Sequence, residues 1–144
     1  YTYQTVSGNP LRYPKTLIGK AMGPVEWLSH TSQLDYPYAP VRLYRPMQDV
    51  KMAADVVVTT LSGWDLGADY EMIVHNYRGG HGGVRADQLR VPMIASGPGF
   101  RKGVRIDTAT SEDFGATLFQ ALGLKSRGSG RVLKQLLNDT NEMN

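Results

Sequence analysis

A chain of 144 residues that is 41% hydrophobic and 20% charged has the size and composition of one folded domain with its own core. Its 16 Lys and Arg stand against 13 Asp and Glu without any run of like charge, so the sequence predicts no nucleic-acid-binding surface. The absence of cysteine excludes disulfides, thiol nucleophiles and cysteine-ligated zinc. No apolar run reaches the roughly 20 residues that cross a membrane, so we expect no membrane partner.

The first 40 residues are predicted to form an irregular N-terminal segment with one short helix at most. The chain starts at Tyr1 rather than Met, and its start is not a signal peptide, because it lacks a charged beginning and an apolar centre. These features predict a processed or truncated piece of a longer protein. A weak helical pattern is found in Leu17–His30, where Gly23 and Pro24 disfavour a helix.

Residues 41–137 are predicted to form one α/β domain in which a layered sheet carries flanking helices, followed by a tail over 138–144. The alternating stretch Val41–Arg45 is typical of a half-buried strand. Ala54–Leu61 is a continuous β-branched run and Val91–Gly97 is a second apolar run, and both are typical of strands covered on both faces. We expect these two runs to be neighbouring buried strands, because strands interleaved with helices indicate a layered sheet.

The strongest helical pattern in the chain is Ser111–Leu122. Gly123 suits its C-terminal end, and its N-terminal cap is expected from one of two residues, Thr110 or Ser111. Asp113 is interpreted as part of this cap rather than as a metal ligand. The apolar spacing predicts three inward-facing side chains, Phe114, Leu118 and Leu122. A shorter closing helix is expected within 132–137.

A single histidine between two glycine pairs is the most unusual feature of the sequence. His81 lies in "GGHGG" with Gly79, Gly80, Gly82 and Gly83. Glycines let a backbone approach a metal or a phosphate closely, and a neutral imidazole is a good zinc ligand. Because one histidine without partners is a weak motif, these residues alone leave two interpretations, a metal ligand or an exposed histidine in a surface turn.

The order of segments around this histidine resembles that of a known family. "ADVVVTTLSGWDLG", "GGHGGVRADQLRVPMIASGPGFRKGVRI", "SEDFGATLFQALGL" and "GRVL" together are similar to the C-terminal part of the alkaline phosphatase superfamily. The type I phosphodiesterase and nucleotide pyrophosphatase group is the most similar branch, and sulfatases and cofactor-independent phosphoglycerate mutases are more distant. The resemblance runs from about Tyr36 to Leu137, and its most specific part is Gly-x-His-Gly-Gly followed by "RVPMIASGPG".

The resemblance implies an alkaline phosphatase-like fold and a two-zinc hydrolase that acts on a small phosphate-ester substrate. In that superfamily the histidine of the Gly-x-His-Gly element is the last zinc ligand, and His81 occupies this position. A threonine or serine nucleophile would lie beside one of two zinc ions about 4 Å apart, and other divalent metals could replace zinc. His75 could support a metal ligand from outside the coordination sphere or contact the substrate, but a partly buried histidine at a strand end is favoured. Many members of the superfamily lie in the periplasm or outside the cell, so the resemblance suggests such a location for this protein.

The sequence departs from the family because it lacks the nucleophile and the other metal ligands. The family's Asp-x-x-x-His and Asp-His pairs do not occur, and a catalytic zinc needs about three protein ligands. We therefore expect the C-terminal part of a larger hydrolase, inactive alone, whose partner is the missing N-terminal part of the same protein. Two alternatives stay open: a sulfatase or phosphonate hydrolase of the same superfamily, and a non-catalytic α/β interaction or structural module.

Polar residues on both sides of the histidine have weaker interpretations. The acidic residues Asp65, Asp69 and Glu71 either orient an imidazole or belong to a solvated loop, and the loop is favoured. The stretch from Arg85 to Arg90 is interpreted as the link between the histidine and the next strand.

Overall fold

Helices are the regular structure of the chain in the computed structural model, which describes residues 1–51, 53–64, 82–126 and 128–138. The α-helices described are α1 (Pro24–Thr31), α2 (Ala39–Tyr44), α3 (Ala86–Leu89) and α4 (Ser111–Ala121). Short 3₁₀-helices are Lys15–Leu17, Arg45–Gln48 and Lys134–Leu136. The chain divides into two units, unit 1 (Tyr1–Val91) and unit 2 (Pro92–Asn144). No helix in the described ranges is long and apolar enough to span a membrane.

The predicted layered α/β sheet, and with it the alkaline phosphatase-like fold, is wrong for the described residues. Their β-structure consists of two isolated antiparallel bridges, Thr2 with Ala21 and Phe100 with Leu137. The stretches predicted as buried strands, Ala54–Leu61 and Val91–Gly97, carry no strand. A strand is stable only where a neighbouring strand pairs with its backbone, and β-branched residues do not provide that neighbour.

The side chains of these two stretches are exposed rather than buried. Val56 is 74% exposed, Val58 is 67% exposed and Ile94 is 84% exposed. The apolar composition of the runs had indicated a covered position, but composition does not specify what covers them. Large exposed apolar side chains outside regular structure are therefore a feature of both units.

The predicted strand Val41–Arg45 is also wrong, because the chain there forms α2. Pro40 lies in the first turn of this helix, where its missing N–H costs nothing. Ala39 and Val41 are completely buried. A few alternating residues fit a helix as well as a strand, whereas Pro40 is typical of the first turn of a helix. Pro24 lies in the first turn of α1 in the same way, within the region where a short helix was expected.

Unit 1 has a core rich in aromatic side chains. Tyr13, Trp27 and Tyr36 are buried, and the Tyr13 and Trp27 ring centroids lie 5.8 Å apart. The indole N–H of Trp27 donates to the Tyr1 carbonyl at 3.0 Å, which ties the start of the chain to α1. The Tyr13 hydroxyl donates to the Tyr36 carbonyl, and burial raises the pKa of Tyr13 to about 12. A third tyrosine and smaller apolar residues complete this core: Tyr38, Leu11, Leu17, Met22, Ala39, Val41 and Val84.

Unit 2 is built around α4, whose predicted position and N-terminal cap are confirmed. The Thr110 hydroxyl accepts from the Asp113 N–H at 3.2 Å, and the Asp113 carboxylate accepts from the Thr110 N–H at 3.1 Å. Gly123, just after the helix, has φ +68, a backbone conformation that favours glycine. The predicted inward face is wrong, since Leu118 and Leu122 are exposed and Phe114 is only half-buried.

The buried face of α4 consists of Asp113, Ala116 and Thr117. It lies against the backbone that follows Gly130 rather than against a sheet, and a Cβ at Gly130 would meet the Glu112 carbonyl oxygen at 2.0 Å. This close approach explains why small and polar residues face inward. The closing helix expected within 132–137 is reduced to the 3₁₀ turn Lys134–Leu136.

Candidate functional site

The predicted metal ligand, His81, lies outside the described residues. The same holds for His75, Gly79 and Gly80, and for the acidic residues Asp65, Asp69 and Glu71. Of the "GGHGG" element the structure describes Gly82 and Gly83. The role of His81 as a zinc ligand therefore stays a prediction, and the geometry available is that of the chain which follows it.

The two described glycines differ in what they require. Gly82 has φ +109, a value that side chains rarely allow, so this position favours glycine. The Gly83 N–H donates to the Gln88 side-chain oxygen at 2.6 Å, and a Cβ on Gly83 would lie 2.4 Å from that oxygen. A larger residue at position 83 would therefore displace the Gln88 side chain.

The chain after these glycines is attached to the core of unit 1. Val84 is buried in that core, and the Ala86 N–H donates to the Asp35 carbonyl at 2.8 Å. The Arg90 guanidinium donates to the Ser32 carbonyl from two nitrogens, at 3.1 and 2.8 Å, and to the Leu34 carbonyl at 3.2 Å. The stretch interpreted as a link between strands is instead a short helix held against the loop that precedes α2.

Two arginines and two aspartates form two ion pairs beside this helix. Arg12 lies 3.7 Å from Asp35, and Arg85 lies 3.6 Å from Asp87. The Arg85 guanidinium also lies 5.4 Å from the centroid of the Tyr36 ring. The buried Nε of Arg85 makes no hydrogen bond, because its separation from Asp87 is that of an ion pair only. Two positive and two negative charges compensate each other, so this group has no surplus of positive charge that would favour an anion.

The pKa shifts of Arg85 and Asp87 have the directions expected of an ion pair. A hydrogen bond with the Tyr36 side chain raises the pKa of Arg85, and the charge of Asp87 acts in the same direction. A hydrogen bond from Ser62 lowers the pKa of Asp87, and the charge of Arg85 lowers it further. Both groups stay charged near neutral pH, so neither is suited to proton transfer there.

The most buried carboxylate described is Asp113 in unit 2, which the sequence had marked only as a cap. Its oxygens accept from the Arg131 N–H at 2.7 Å and from the Arg131 guanidinium at 2.6 and 3.3 Å. Burial pushes the pKa of Asp113 upward, but the hydrogen bonds from Arg131 and Thr110 outweigh it and hold the pKa below its ordinary value. The pairing with Arg131 was not predicted, because nothing in the sequence links two residues this far apart.

The described residues do not by themselves fit a zinc ion. No group of three or more His, Cys, Asp or Glu in the described ranges could hold a metal. The described histidine, His30, lies in the last turn of α1 and has no such companions among the described residues. A zinc site in this protein would need His81 together with donors that the described part of the chain does not supply.

Comparison with known proteins adds no relative. No protein-family model, no curated protein and no solved structure matches this chain. The resemblance to the alkaline phosphatase superfamily therefore rests on its sequence elements, above all on Gly-x-His-Gly-Gly and "RVPMIASGPG".

Proposed function

We propose that this chain is the C-terminal part of a metal-dependent hydrolase of phosphoric esters, in which His81 is one zinc ligand. The observation that carries the proposal is the "GGHGG" element followed by "RVPMIASGPG" in the order found in the alkaline phosphatase superfamily. The nucleophile and the remaining ligands are assigned to the N-terminal part of the same protein. Zinc, when bound, stabilises negative charge on the reacting oxygens. This function does not require the layered sheet that the sequence had predicted.

One feature of the described residues supports a chain that works with a further segment. Val56, Val58 and Ile94 are exposed, and large apolar side chains are normally covered. A segment that covers these side chains would account for their exposure.

Unit 1 would contribute to such a site by holding the chain that follows His81. Gly83, Ala86 and Arg90 attach the chain after His81 to the core through side-chain and backbone hydrogen bonds. A metal ligand is useful only if its position is well defined, and neighbouring hydrogen bonds provide that definition. The proposed ligand thus lies two residues before Gly83, whose N–H is hydrogen-bonded to the Gln88 side chain.

The direct test uses the polypeptide encoded when the reading frame is extended upstream of Tyr1. We expect zinc-dependent hydrolysis of nitrophenyl phosphate or bis-nitrophenyl phosphate by this polypeptide, and none by the 144-residue chain alone. His81→Ala should remove one bound metal and lower kcat/KM by orders of magnitude. The matched control His75→Ala should cost about 10- to 100-fold at most.

Several results would contradict the proposal. Equal effects of the two histidine substitutions would show that His81 is not a metal ligand. An upstream sequence with neither the Asp-x-x-x-His pair nor the Asp-His pair would exclude a hydrolase of this kind. Activity on sulfate esters or phosphonates but not on phosphate esters would keep the superfamily and change the substrate.

A non-catalytic interaction module is the second candidate function. The exposed apolar side chains of 54–61 favour it as much as they favour the hydrolase, because any protein partner could cover them. Metal content separates the two candidates. An extended polypeptide that is folded and binds no zinc in equilibrium dialysis would favour the interaction module.

A further inference from the structure

One segment of unit 2 runs along α4 and lies against its buried face. A Cβ on Gly130 would be 2.0 Å from the Glu112 carbonyl oxygen, so this segment begins at the first turn of the helix. Farther along α4, the Leu133 N–H donates to the buried Thr117 hydroxyl at 2.9 Å, and Leu133 is itself buried. We name residues 130–138 the closing segment.

The closing segment is held by contacts near both ends of α4. Near the start of the helix, the Arg131 backbone and guanidinium donate to the Asp113 carboxylate at 2.7 and 2.6 Å. Near its end, the Asn138 N–H donates to the Gly99 carbonyl at 3.1 Å, and a Cβ on Gly99 would be 3.4 Å from the Ala121 Cβ. All of these partners precede the end of α4 in the chain. The contacts therefore do not require the residues that connect the helix to the closing segment.

The connection, residues 122–129, adds little to this arrangement. Most of its described residues are exposed. Its described hydrogen bonds are local, as from the Leu124 N–H to the Phe119 carbonyl at 2.8 Å and from the Gly128 N–H to the Ser126 hydroxyl at 3.4 Å. Its effect on the closing segment is to keep that segment close to its own helix.

We infer that the closing segment is exchangeable between two copies of this chain, so that α4 of each copy binds the closing segment of the other. A second copy offers the same donors and acceptors in the same geometry. The connection leads from the end of α4 back to its start, so an exchanged segment places the end of one α4 near the start of the other. Two antiparallel α4 helices satisfy both exchanges at once, which is closed two-fold symmetry. The inference does not depend on the proposed hydrolase activity, because every residue that it uses lies in unit 2.

The protein concentration decides which copy supplies the closing segment. A short flexible connection holds a segment at an effective concentration in the millimolar range. The 144-residue chain should therefore be a monomer at about 10 μM and partly dimeric near about 1 mM in sedimentation equilibrium. A connection too short to lead back along α4 removes the intramolecular competitor, so it should give the dimer at much lower concentration.

Deletion of residues 123–129 provides such a connection. Glu112 and Ala121 lie at opposite ends of α4, about 13.5 Å apart at a rise of about 1.5 Å per residue. The deletion joins Leu122 to Gly130, so the Cα atoms of Ala121 and Gly130 are at most about 7.6 Å apart. The closing segment then cannot reach the first turn of its own helix.

The deletion variant should be a dimer at about 10 μM, and its Leu133 amide should be protected from hydrogen exchange. The matched control replaces residues 123–129 by glycine and serine without changing their number, and it should behave as the unaltered chain. In the deletion variant, Arg131→Ala should raise the dissociation constant of the dimer by about tenfold or more, because it removes the charged donor to Asp113.

A mixture of two variants tests the exchange itself. Deletion chains that carry Asp113→Ala are mixed with deletion chains that carry Arg131→Ala. A mixed dimer has one intact pair of Asp113 and Arg131, whereas neither variant can form such a pair with itself. We expect mixed dimers at concentrations at which each variant alone is a monomer.

The inference is wrong if the deletion variant is a monomer at about 1 mM, since the closing segment then does not bind a second copy. It is also wrong if Arg131→Ala leaves the dimer unchanged, because another surface then joins the two copies. A third result, a deletion variant that dimerises while the unaltered chain stays a monomer at about 1 mM, would exclude the exchange for the unaltered chain.

Discussion

Unit 1 and unit 2 bury different kinds of side chain. Unit 1 buries Tyr13, Trp27 and Tyr36 among smaller apolar residues, so apolar area excluded from water stabilises it. The buried side chains described in unit 2 are few and half of them are polar: Asp113, Ala116, Thr117 and Leu133. Unit 2 therefore depends on hydrogen bonds with defined geometry, and the two units should respond differently to truncation and to pH.

The largest expected effect is the loss of the central side chain of unit 1. Trp27→Ala should lower the free energy of unfolding of unit 1 by about 4 kcal/mol, since it removes a completely buried indole and its hydrogen bond to Tyr1. Native-state hydrogen exchange at the Ser32 amide, which donates to the Leu28 carbonyl, measures the change. The Leu133 amide of unit 2 is the internal control. Equal loss of protection at both amides would show that the two units do not differ in this way.

The next effect breaks the polar contacts of unit 2. Asp113→Ala should cost about 3 kcal/mol, because it removes the helix cap and leaves the Arg131 N–H and guanidinium without their buried acceptor. The Leu133 amide, which donates to the Thr117 hydroxyl at 2.9 Å, should then exchange much faster. The matched substitution Asp107→Ala, at an exposed aspartate of the same unit, should leave it unchanged.

Acid should reproduce part of this effect in the unaltered chain. The pKa of Asp113 is lower in the folded state than in the unfolded state, so its contribution is complete above the ordinary aspartate range. It is lost as pH falls below about 4, because the unfolded state then takes up the proton first. Leu133 exchange, corrected for intrinsic rates, should show a loss of protection that Asp113→Ala lacks. An identical pH profile in both proteins would exclude Asp113 as the cause.

A smaller effect of opposite pH dependence is expected in unit 1. The pKa of Tyr13 is raised to about 12 by burial, so the folded state keeps its proton above pH 10 while the unfolded state releases it. The free energy of unfolding should fall by at most about 2 to 3 kcal/mol between pH 10 and 12. Tyr13→Phe should remove that slope, although the loss of its hydrogen bond to Tyr36 lowers stability at neutral pH. Exposed Tyr44→Phe is the control that should retain the slope.

The smallest effect is a gain in unit 2. Gly115 lies inside α4, and a Cβ there would meet nothing within 4 Å. Gly115→Ala should raise the free energy of unfolding by about 0.5 to 1 kcal/mol, because alanine loses less conformational freedom in a helix. Thermal unfolding at neutral pH measures the gain. A decrease would mean that α4 is more tightly packed on this side than the structure indicates.

Local signals of the sequence were reliable where they specify local structure. The cap residues Thr110 and Asp113 and the glycine after the helix predicted α4, because capping depends on residues within one turn of each other. The prediction of which side of α4 is buried was wrong, since burial depends on the partner. The structure places the backbone near Gly130 there, which a pattern of leucines does not reveal.

The predicted sheet was wrong because its signal requires information from elsewhere in the chain. Ala54–Leu61 has the composition of a buried strand, yet pairing and cover come from other segments. The candidate site shows the same contrast. His81 stays a prediction from the glycines beside it, whereas the attachment of Arg90 to Ser32 and Leu34 joins residues far apart in sequence and carried no local signal.

The backbone approach at Gly130 has a consequence for how natural variation in this protein should be interpreted. A side chain at position 130 would collide with the main chain of Glu112, whereas Gly128 has open space around it. Related chains that keep this structure should therefore retain Gly130 together with Asp113 and Arg131, and vary freely at Gly128. Retention of the "GR" pair would then reflect a constraint of folding and would carry no information about function.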